Sequence, residues 1–306
     1  MTISSTQLET WTNQGAVQNS KRTYSSIQNA VEQDRYGLGR EDFEHSYEIH
    51  LQGSYANDTN IYASSDVDVV VRVNMPFQEG LSDLSREERE RFWDEYTDLD
   101  YEWENFYKRV KRSLRGYFGR ENIDSSGKAI KIKSNDDTPI PLDADVVACA
   151  DYRNYTYFGP DGTEEYTTGM FFRPGVGQPS IVNYSKVHRE NGTKKNKDTN
   201  GRYKPTIRMF KNAREWSVRN EIAPENICSS YYLEGLLYNV PDELIDQNDL
   251  QDRYQDIVEW LKVADIGEFP EQSEMYPLCH PLESERWSVS NANATVNMFE
   301  QVWEAY

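Results

Sequence analysis

The segment from residue 51 to residue 73, LQGSYANDTNIYASSDVDVVVRV, constrains the fold of this chain more than any other. An alternating apolar stretch ends at Leu51, and Gly53-Ser54 breaks that alternation. Some residues later an apolar run begins, from 67 to 73, with the composition of a buried strand. The segment therefore predicts two strands joined by a turn.

Two carboxylates mark the start of the second strand. Asp66 and Asp68 are two residues apart, so they point to one face of the strand, while Val67 and Val69 point to the other face and into a core. Carboxylates held side by side repel each other unless a cation lies between them. Because carboxylate oxygens suit hard ions, we expect this pair to bind Mg²⁺ or Mn²⁺.

The Gly53-Ser54 turn has the chemistry that a phosphate group requires. Glycine lets the backbone approach closely, and the turn provides amide N–H groups and one hydroxyl. The alternative interpretation of the whole segment is a surface hairpin with an acidic edge.

The charge balance limits the partners of the chain. It has 33 basic and 52 acidic residues among 306, which gives a net charge of −19. Such a surface repels nucleic acid and anionic membranes over roughly one Debye length, about 8 Å in physiological salt. We therefore expect no obligate nucleic acid template.

Location is predicted from what the sequence lacks. It has no run of about 18 apolar residues, and its N-terminus is polar and unlike a signal peptide. The three cysteines, Cys149, Cys228 and Cys279, are far apart, which is typical of free thiols in a reducing compartment. We expect a cytoplasmic protein with no membrane partner.

Hydrophobic spacing predicts an α+β fold with a mixed sheet. The predicted helices span 4–14, 20–36, 82–119, 187–196, 203–220, 230–240, 244–263 and 292–306; the strands span 47–51, 67–73, 129–133 and 142–150, followed by a hairpin with turns near 160–162 and 174–175. We expect Asn74-Met75-Pro76 to end the second strand and residues 57–60 to be flexible. Strands before helices predict two lobes, 1–180 and 181–306, with a cleft between them.

A third carboxylate is available in the predicted strand 142–150, LDADVVACA. Asp143 and Asp145 share one face of this strand. A two-metal site requires such a carboxylate on a strand beside Asp66 and Asp68. The spacing leaves both residues as candidates; the alternative for Asp143 is a carboxylate at the end of the strand that faces solvent.

One segment is strongly basic despite the overall acidity. Between residues 186 and 211 only Glu190 and Asp198 oppose nine cations. These are Lys186, Arg189, Lys194, Lys195, Lys197, Arg202, Lys204, Arg208 and Lys211. Such a segment suits a triphosphate. The alternative is a basic helix face that balances acidic neighbours.

Several motifs together resemble one family. A Gly-Ser turn followed by Asp-x-Asp in an apolar strand resembles the signature of the polymerase-β-like nucleotidyltransferases. The segments QLETWTNQGAVQNSKRTYSSIQNAV, IVNYSKVHRENGTKKNKDTNGRYKPTIRMFKNARE and SSYYLEGLLYNVP resemble the bacterial cGAS/DncV-like nucleotidyltransferases (CD-NTases), in the same order along the chain. The resemblance implies a nucleotidyltransferase lobe with a long N-terminal helix, a helical C-terminal lobe, and an active site in the cleft.

The resemblance also implies the metal ligands. Asp66, Asp68 and a third aspartate would bind two ions, Mg²⁺ or Mn²⁺, and would be the catalytic residues. The family's third aspartate precedes an apolar pair. Asp145-Val146-Val147 fits that pattern better than Asp143 does, so we choose Asp145.

The nucleotide-binding residues are implied in the same way. Gly53 and Ser54 would hold the triphosphate of the donor, together with Lys211 and Ser230. Tyr231 would stack on a base, although it lies in an apolar helix stripe and a core position is the alternative. Asn183 would read a base, because an amide offers both donors and an acceptor; a turn-forming asparagine is the alternative.

The implied activity is the joining of ribonucleoside triphosphates into a cyclic di- or oligonucleotide signal for anti-phage defence, with release of pyrophosphate. Regulatory and effector proteins of a defence operon would be partners, and the enzyme would be a monomer. Two alternatives stay open. One is a nucleotidyltransferase that modifies an RNA, protein or small molecule, and the other is an inactive nucleotide-binding module.

Overall fold

The computed structural model describes residues 2–62, 66–96, 102–174, 178–280 and 287–306. The chain forms two compact units. The sheet unit consists of Val17–Gln52 and Asp66–Lys186, and the helical unit of Met1–Ala16, Gly53–Ser65 and Val187–Tyr306. The predicted lobe boundary at residue 180 stays a prediction.

A mixed sheet forms the centre of the sheet unit. Its described strands are β1 Tyr47–Leu51, β2 Val67–Gly80, β3 Ile123–Asp124, β4 Ile130–Ile132, β5 Ala144–Phe158, β6 Glu164–Phe172 and β7 Ile181–Asn183. The order is β1-β2-β5-β4-β3, and β6 pairs with both β5 and β7. The β2–β5 pair is parallel and the other pairs are antiparallel. The predicted mixed α+β architecture is confirmed.

Helices complete both units. In the sheet unit they are α2 Gln18–Gln33, α4 Arg86–Glu95 and α5 Trp103–Phe118. In the helical unit they are α1 Ser5–Thr12, α3 Gly53–Asn57, α7 Tyr203–Arg219, α8 Ser230–Tyr238, α9 Asp242–Ile245, α10 Leu250–Val263 and α11 Val289–Ala305; α6, Ser185–Asp198, begins at the end of the sheet unit. None of the helices in the described ranges is long and apolar enough to cross a bilayer.

The core of the sheet unit follows from the alternation along β2. Val67, Val69, Val71 and Val73 all point to one face and are at most 1% exposed. Helices α2 and α5 contact the sheet at β2 and β5, and they contact each other. Because the valines face a core, the polar side chains of β2 are left on the opposite face.

The core of the helical unit is built around α7. The ring of Phe210 stacks on Tyr254 of α10 at 4.7 Å and meets Phe299 of α11 edge-on at 4.8 Å. All three side chains are fully buried. Helix α7 also contacts α1 and α8, so the chain's first helix is part of this unit.

Several local predictions are confirmed. Ser85 followed by Glu88 is the sequence pattern of a capping box, and one begins α4: Oγ of Ser85 accepts from the N–H of Glu88, and the carboxylate of Glu88 accepts from the N–H of Ser85. The hairpin between β5 and β6 turns at residues 159–163. The three cysteines are free and buried.

Other local predictions need correction. Strand β2 does not end at Asn74-Met75-Pro76 but continues to Gly80, because an irregularity in the pairing register between Val73 and Gln78 accommodates the proline. The helix predicted over 82–119 is two helices, α4 and α5. Residues 97–101 between them lie outside the described part of the chain, as does Gly175 of the second predicted turn.

Candidate functional site

The parallel pairing of β2 and β5 brings the predicted carboxylates together. The register places Asp68 opposite Asp145, and the N–H of Val67 donates to the carbonyl of Asp143 at 2.9 Å. Asp66 directly precedes β2 and is exposed. Three carboxylates therefore lie on one face at one end of two neighbouring strands, and the predicted adjacency of the strands is confirmed.

The end of β1 lies beside the same aspartates. The N–H of Gln52 donates to the carbonyl of Asp68 at 2.9 Å. The residue after Gln52 is Gly53, which begins the predicted phosphate turn. The chain thus enters that turn directly from the strand end that carries the carboxylates.

The surroundings of Asp145 shift its pKa upward. Burial raises its pKa above the ordinary value, the charge of Lys131 lowers it, and the charges of Asp66 and Asp143 raise it again. The net direction is upward. The Nζ of Lys131 lies 3.7 Å from Oδ2 of Asp145. An upward shift makes Asp145 a stronger proton acceptor than an ordinary aspartate.

Asp143 has a structural role of its own. Its Oδ1 accepts a hydrogen bond from the N–H of Ser134 at 2.7 Å. This bond fixes the turn before β5. The contact favours Asp145 over Asp143 as the third site carboxylate.

The donor chemistry of this strand end fits divalent ions. All three side chains offer hard oxygen ligands. Burial is the largest cause of the raised pKa of Asp145, and the charges of Asp66 and Asp143 add to it; a cation would offset that repulsion. The side chains are not gathered around a point, since no group of three metal-ligating side chains is found among the described residues. The roles of Asp66, Asp68 and Asp145 as metal ligands stay a prediction.

The Gly53-Ser54 turn is a short helix, α3. Gly53 has φ of +64°, a conformation that side chains with a Cβ rarely adopt. The carbonyl of Ser54 accepts from the N–H of Thr59 at 2.9 Å. Thr59 and Asn60 are only 1% exposed, so the expected flexibility of residues 57–60 is wrong. Buried hydrogen bonds hold this part of the turn.

A buried ionic cluster fixes the turn to the helical unit. Glu234 of α8 is at its centre: Oε1 accepts from Nζ of Lys211 at 2.6 Å and from Oγ1 of Thr59 at 2.6 Å. Oε2 accepts from Nδ2 of Asn57 at 3.2 Å and lies 3.0 Å from Nε2 of His188. The cluster ties both ends of 57–59 to α6, α7 and α8.

The neighbours of Glu234 shift its pKa. Burial raises its pKa, but the charge of Lys211 and the contacts with His188 outweigh burial, and the pKa lies well below the ordinary value. Glu234 is therefore ionised inside the protein. Its pairing with Lys211 is a buried salt bridge, which depends on both partners being present.

This burial bears on the predicted role of Lys211. Its side chain is 2% exposed, and Nζ also donates to the carbonyl of Thr59 at 3.3 Å. The ammonium lies beneath the backbone of the turn. Direct contact with a triphosphate stays a prediction, and the contacts in this structure are with the protein.

Much of the basic segment is paired with acids. The ion pairs are Lys194–Asp198, Lys195–Asp242, Arg202–Asp246, Lys204–Asp58 and Lys211–Glu234. For these five cations the alternative interpretation, a basic face that balances acidic neighbours, describes the structure.

Ser230 and Tyr231 begin α8. Oγ of Ser230 accepts from Nη1 of Arg214 at 3.4 Å. The ring of Tyr231 stacks on His188 with centroids 5.0 Å apart, and its hydroxyl donates to Oε2 of Glu271 at 2.9 Å. One face of the tyrosine is therefore covered. Its stacking on a base stays a prediction.

Asn183 ends β7, opposite Met170 of β6. Its Oδ1 is buried and has no hydrogen-bond partner within the described ranges. A buried acceptor without a partner costs free energy. This makes Asn183 a place where an external donor would be stabilising, which fits the predicted contact with a base.

Sequence patterns do not predict that Glu234, His188 and Arg214 contact the candidate site residues. One signal for Glu234 was present, because it is an acid within the apolar stretch YYLEGLLY. An ionisable residue on a buried helix face requires a partner. That partner could not be identified from spacing, since Lys211 and Thr59 are far from Glu234 along the chain.

Family models match both parts of the chain. Residues 39–147 match a nucleotidyltransferase domain, and residues 190–304 match the C-terminal helical domain of cGAS/DncV-like nucleotidyltransferases. The two matches include the predicted carboxylates and, of the ionic cluster around Glu234, the residues Asn57, Thr59, Lys211 and Glu234. They agree with the polymerase-β-like fold that the motifs predict.

Curated relatives are similar over the full chain. A cyclic UMP-AMP synthase of Rhodothermus marinus is 37% identical over 306 residues, covering 100% of this chain and 99% of its own. The cyclic nucleotide synthase CdnE01 of Staphylococcus haemolyticus is 35% identical over 310 residues, covering 100% of both. A solved structure of Rhodothermus marinus CdnE c-UMP-AMP synthase, with Apcpp and Upnpp, has a TM-score of 0.85 over 99% of this chain and 97% of its own.

The buried pair gives a prediction about stability. Replacing Lys211 by Met should lower the free energy of unfolding by about 3–5 kcal/mol, because Glu234 is left charged and unpaired in the interior. Lys194→Met is the matched control, since Lys194 pairs with Asp198 on the surface. Its free energy of unfolding should stay close to that of the wild type. Urea unfolding measures both.

The double variant Lys211→Met/Glu234→Gln should regain part of the loss. Because the pKa of Glu234 is depressed, the pair stabilises only while the carboxylate is ionised. The advantage of the wild type over the double variant should therefore shrink as the pH falls below about 4.3, the ordinary pKa of glutamate. Equal losses for Lys211→Met and Lys194→Met would contradict the buried pair.

Proposed function

The chain belongs to the cGAS/DncV-like nucleotidyltransferases, and from this premise we propose that it makes a cyclic dinucleotide from ATP and UTP. Like the cyclic nucleotide synthases to which it is similar, it is a nucleotidyltransferase. Nucleoside triphosphates are its substrates. The observation that carries the proposed site is the register that sets Asp68 beside Asp145. The choice of bases is supported by the name of the R. marinus relative.

We propose Asp66, Asp68 and Asp145 as the ligands of two Mg²⁺ or Mn²⁺ ions. When bound, such ions supply charge stabilisation for the attacking and leaving oxygens of phosphoryl transfer. The aspartates contribute hard oxygen donors and fix these donors on the rigid β2–β5 pair. Family membership supports dependence on a divalent metal.

The transfer itself is an in-line substitution at phosphorus. A ribose hydroxyl of the acceptor attacks the α-phosphorus of the donor, a new P–O bond forms, and the bond to the β-phosphate oxygen breaks. Pyrophosphate leaves, and the hydroxyl proton passes to a base. Asp145 is the proposed acceptor of that proton. A second transfer of the same kind closes the ring.

The turn at Gly53 and Ser54 is the proposed phosphate cradle. Its backbone amides and hydroxyl face the donor phosphates, and the cluster of Glu234, Lys211 and Thr59 holds the turn in place. Ser230 is the proposed further phosphate contact. Tyr231 is the proposed stacking partner of a base, where stacking contributes roughly 1–3 kcal/mol.

Asn183 is the proposed base-reading residue. Its buried acceptor without a partner supports the role, because a ring N–H of a base would satisfy it. A uracil edge presents such an N–H beside a carbonyl. Asn183 would therefore favour a pyrimidine in one of the two nucleotide positions.

The proposed setting is anti-phage defence of the CBASS type. The product would act as a signal for effector proteins encoded nearby, and regulatory proteins of the same operon would be partners. We propose that the enzyme itself is a monomer and needs no nucleic acid template, in keeping with its net charge of −19.

Substitution of the aspartates tests the site. Asp68→Asn and Asp145→Asn should each lower the rate of pyrophosphate release from ATP and UTP by about a hundredfold or more, because each removes a charge that stabilises the transition state. Asp143→Asn is the matched control and should retain most of the activity, since Asp143 serves the turn at Ser134. If only Asp143→Asn lost activity, the third carboxylate of the site would be Asp143 and not Asp145, which would contradict the proposal.

Substitution of Asn183 tests base selection. Asn183→Ala should lower incorporation of UMP by about tenfold relative to AMP, because it removes the amide that pairs with the base. The ratio of UMP to AMP in the product, measured with equimolar labelled ATP and UTP, gives the result. An unchanged ratio with a normal fold would reject this role for Asn183.

A further inference from the structure

A cavity lies in the sheet unit, away from the carboxylates. Its volume is about 440 Å³, and it lies between α5 and the loop of residues 34–46 that follows α2. The lining residues are Arg35, Tyr36, Asp42, Phe43, Glu44, His45, Asn105, Lys108, Arg109 and Arg112. The size falls within the range of pockets for small organic ligands.

The cavity has a fixed wall. Arg109 of α5 binds Asp42 with both of its terminal nitrogens, at 3.1 and 2.7 Å, and donates to the carbonyl of Gly37 at 2.9 Å. Its guanidinium lies 5.1 Å from the ring centroid of Phe43. Next to Gly37, Leu38 is 2% exposed. The loop is thus fastened to α5 from within, and the cavity is preformed.

Most of the charged side chains that line the cavity are positive, although Nζ of Lys108 also lies 3.5 Å from Oε2 of Glu104. Lys108 and Arg112 are four residues apart on α5, so they project from the same helix face. Arg35 comes from the loop opposite. The guanidinium carbons of Arg112 and Arg35 lie 3.5 and 4.6 Å from the ring centroid of Tyr36. Two like charges therefore converge on one tyrosine.

This convergence is unexpected in an acidic chain. The sequence has 52 acidic residues, yet within the described residues neither Arg35 nor Arg112 pairs with one. Four cations line the cavity and only Asp42 and Glu44 oppose them. Like charges brought together repel each other unless an anion lies between them. Even with Glu104 beside Lys108, positive charge is therefore in excess at the cavity, which also has room for a ligand.

The cavity is separate from the carboxylates. His45 lines it, two residues before β1 begins, whereas Gln52, after the end of β1, bonds to the carbonyl of Asp68. Residues 45 and 52 are about 20 Å apart along an extended strand. The site at the aspartates and this cavity are thus at opposite ends of β1.

We propose that this cavity binds a small organic phosphate with two negative charges, of about the size of a mononucleotide. Arg112, Lys108 and Arg35 would contact the phosphate, because guanidinium and ammonium groups form charge-assisted hydrogen bonds with phosphate oxygens. Asn105, three residues before Lys108, offers amide groups to the organic part. The proposal does not depend on the product or the bases chosen at the aspartates.

Titration calorimetry with AMP and with ribose 5-phosphate tests the proposal. The protein is first saturated with a nonhydrolysable ATP analogue, so that binding at the aspartate site does not contribute. We expect saturable binding of at least one probe, weakened at least tenfold in Lys108→Ala/Arg112→Ala because two phosphate contacts are lost. Both residues are exposed, so the variant should fold.

Arg86→Ala/Arg89→Ala is the matched control. It removes the same charge from α4, at exposed positions outside the cavity, and should bind the probes as the wild type does. Arg112→Lys should retain part of the affinity. The proposal is overturned if neither probe binds saturably at millimolar concentration, if inorganic phosphate binds as tightly as both probes, or if the two double variants bind equally.

Discussion

Parallel pairing of β2 with β5 is the constraint on which the candidate site depends. It places Asp68 opposite Asp145, and Asp66 is the residue directly before β2. Val67, Val69, Val71 and Val73 are at most 1% exposed on the other face, so a shift of register by one residue would turn these valines out of their core and the aspartates into it. Hydrophobic burial therefore holds together carboxylates that repel each other.

In the helical unit, buried contacts also hold the turn that begins at Gly53. A buried ion pair, Lys211 with Glu234, holds Thr59 and Asn57 from below. Burying the two charges costs desolvation free energy, and removing one partner would cost more because the other charge would be left unpaired. The pair therefore fixes the backbone of the turn rather than adding much net stability. Buried contacts with the protein thus hold both the turn and the carboxylates in position.

Sequence patterns predicted the elements with strong local signals. The alternation around Asp66 and Asp68 and the Asp-Val-Val of β5 identified the strands, and their pairing is confirmed. What could not be predicted depends on contacts between distant residues. Glu234 finds Lys211 and Thr59 only after folding, and the irregularity that lets β2 pass Pro76 depends on the pairing with β5. The cavity beside Arg112 likewise forms only when the loop after α2 packs on α5.

The most direct test is to incubate the purified protein with all four ribonucleoside triphosphates and Mg²⁺ or Mn²⁺, treat the mixture with phosphatase, and identify the products by mass spectrometry. A cyclic dinucleotide without terminal phosphates resists phosphatase. The account predicts a resistant species with the mass of one AMP and one UMP unit, and its absence from the Asp68→Asn variant. A linear product, or nucleotide transferred to a protein or RNA, would contradict the account.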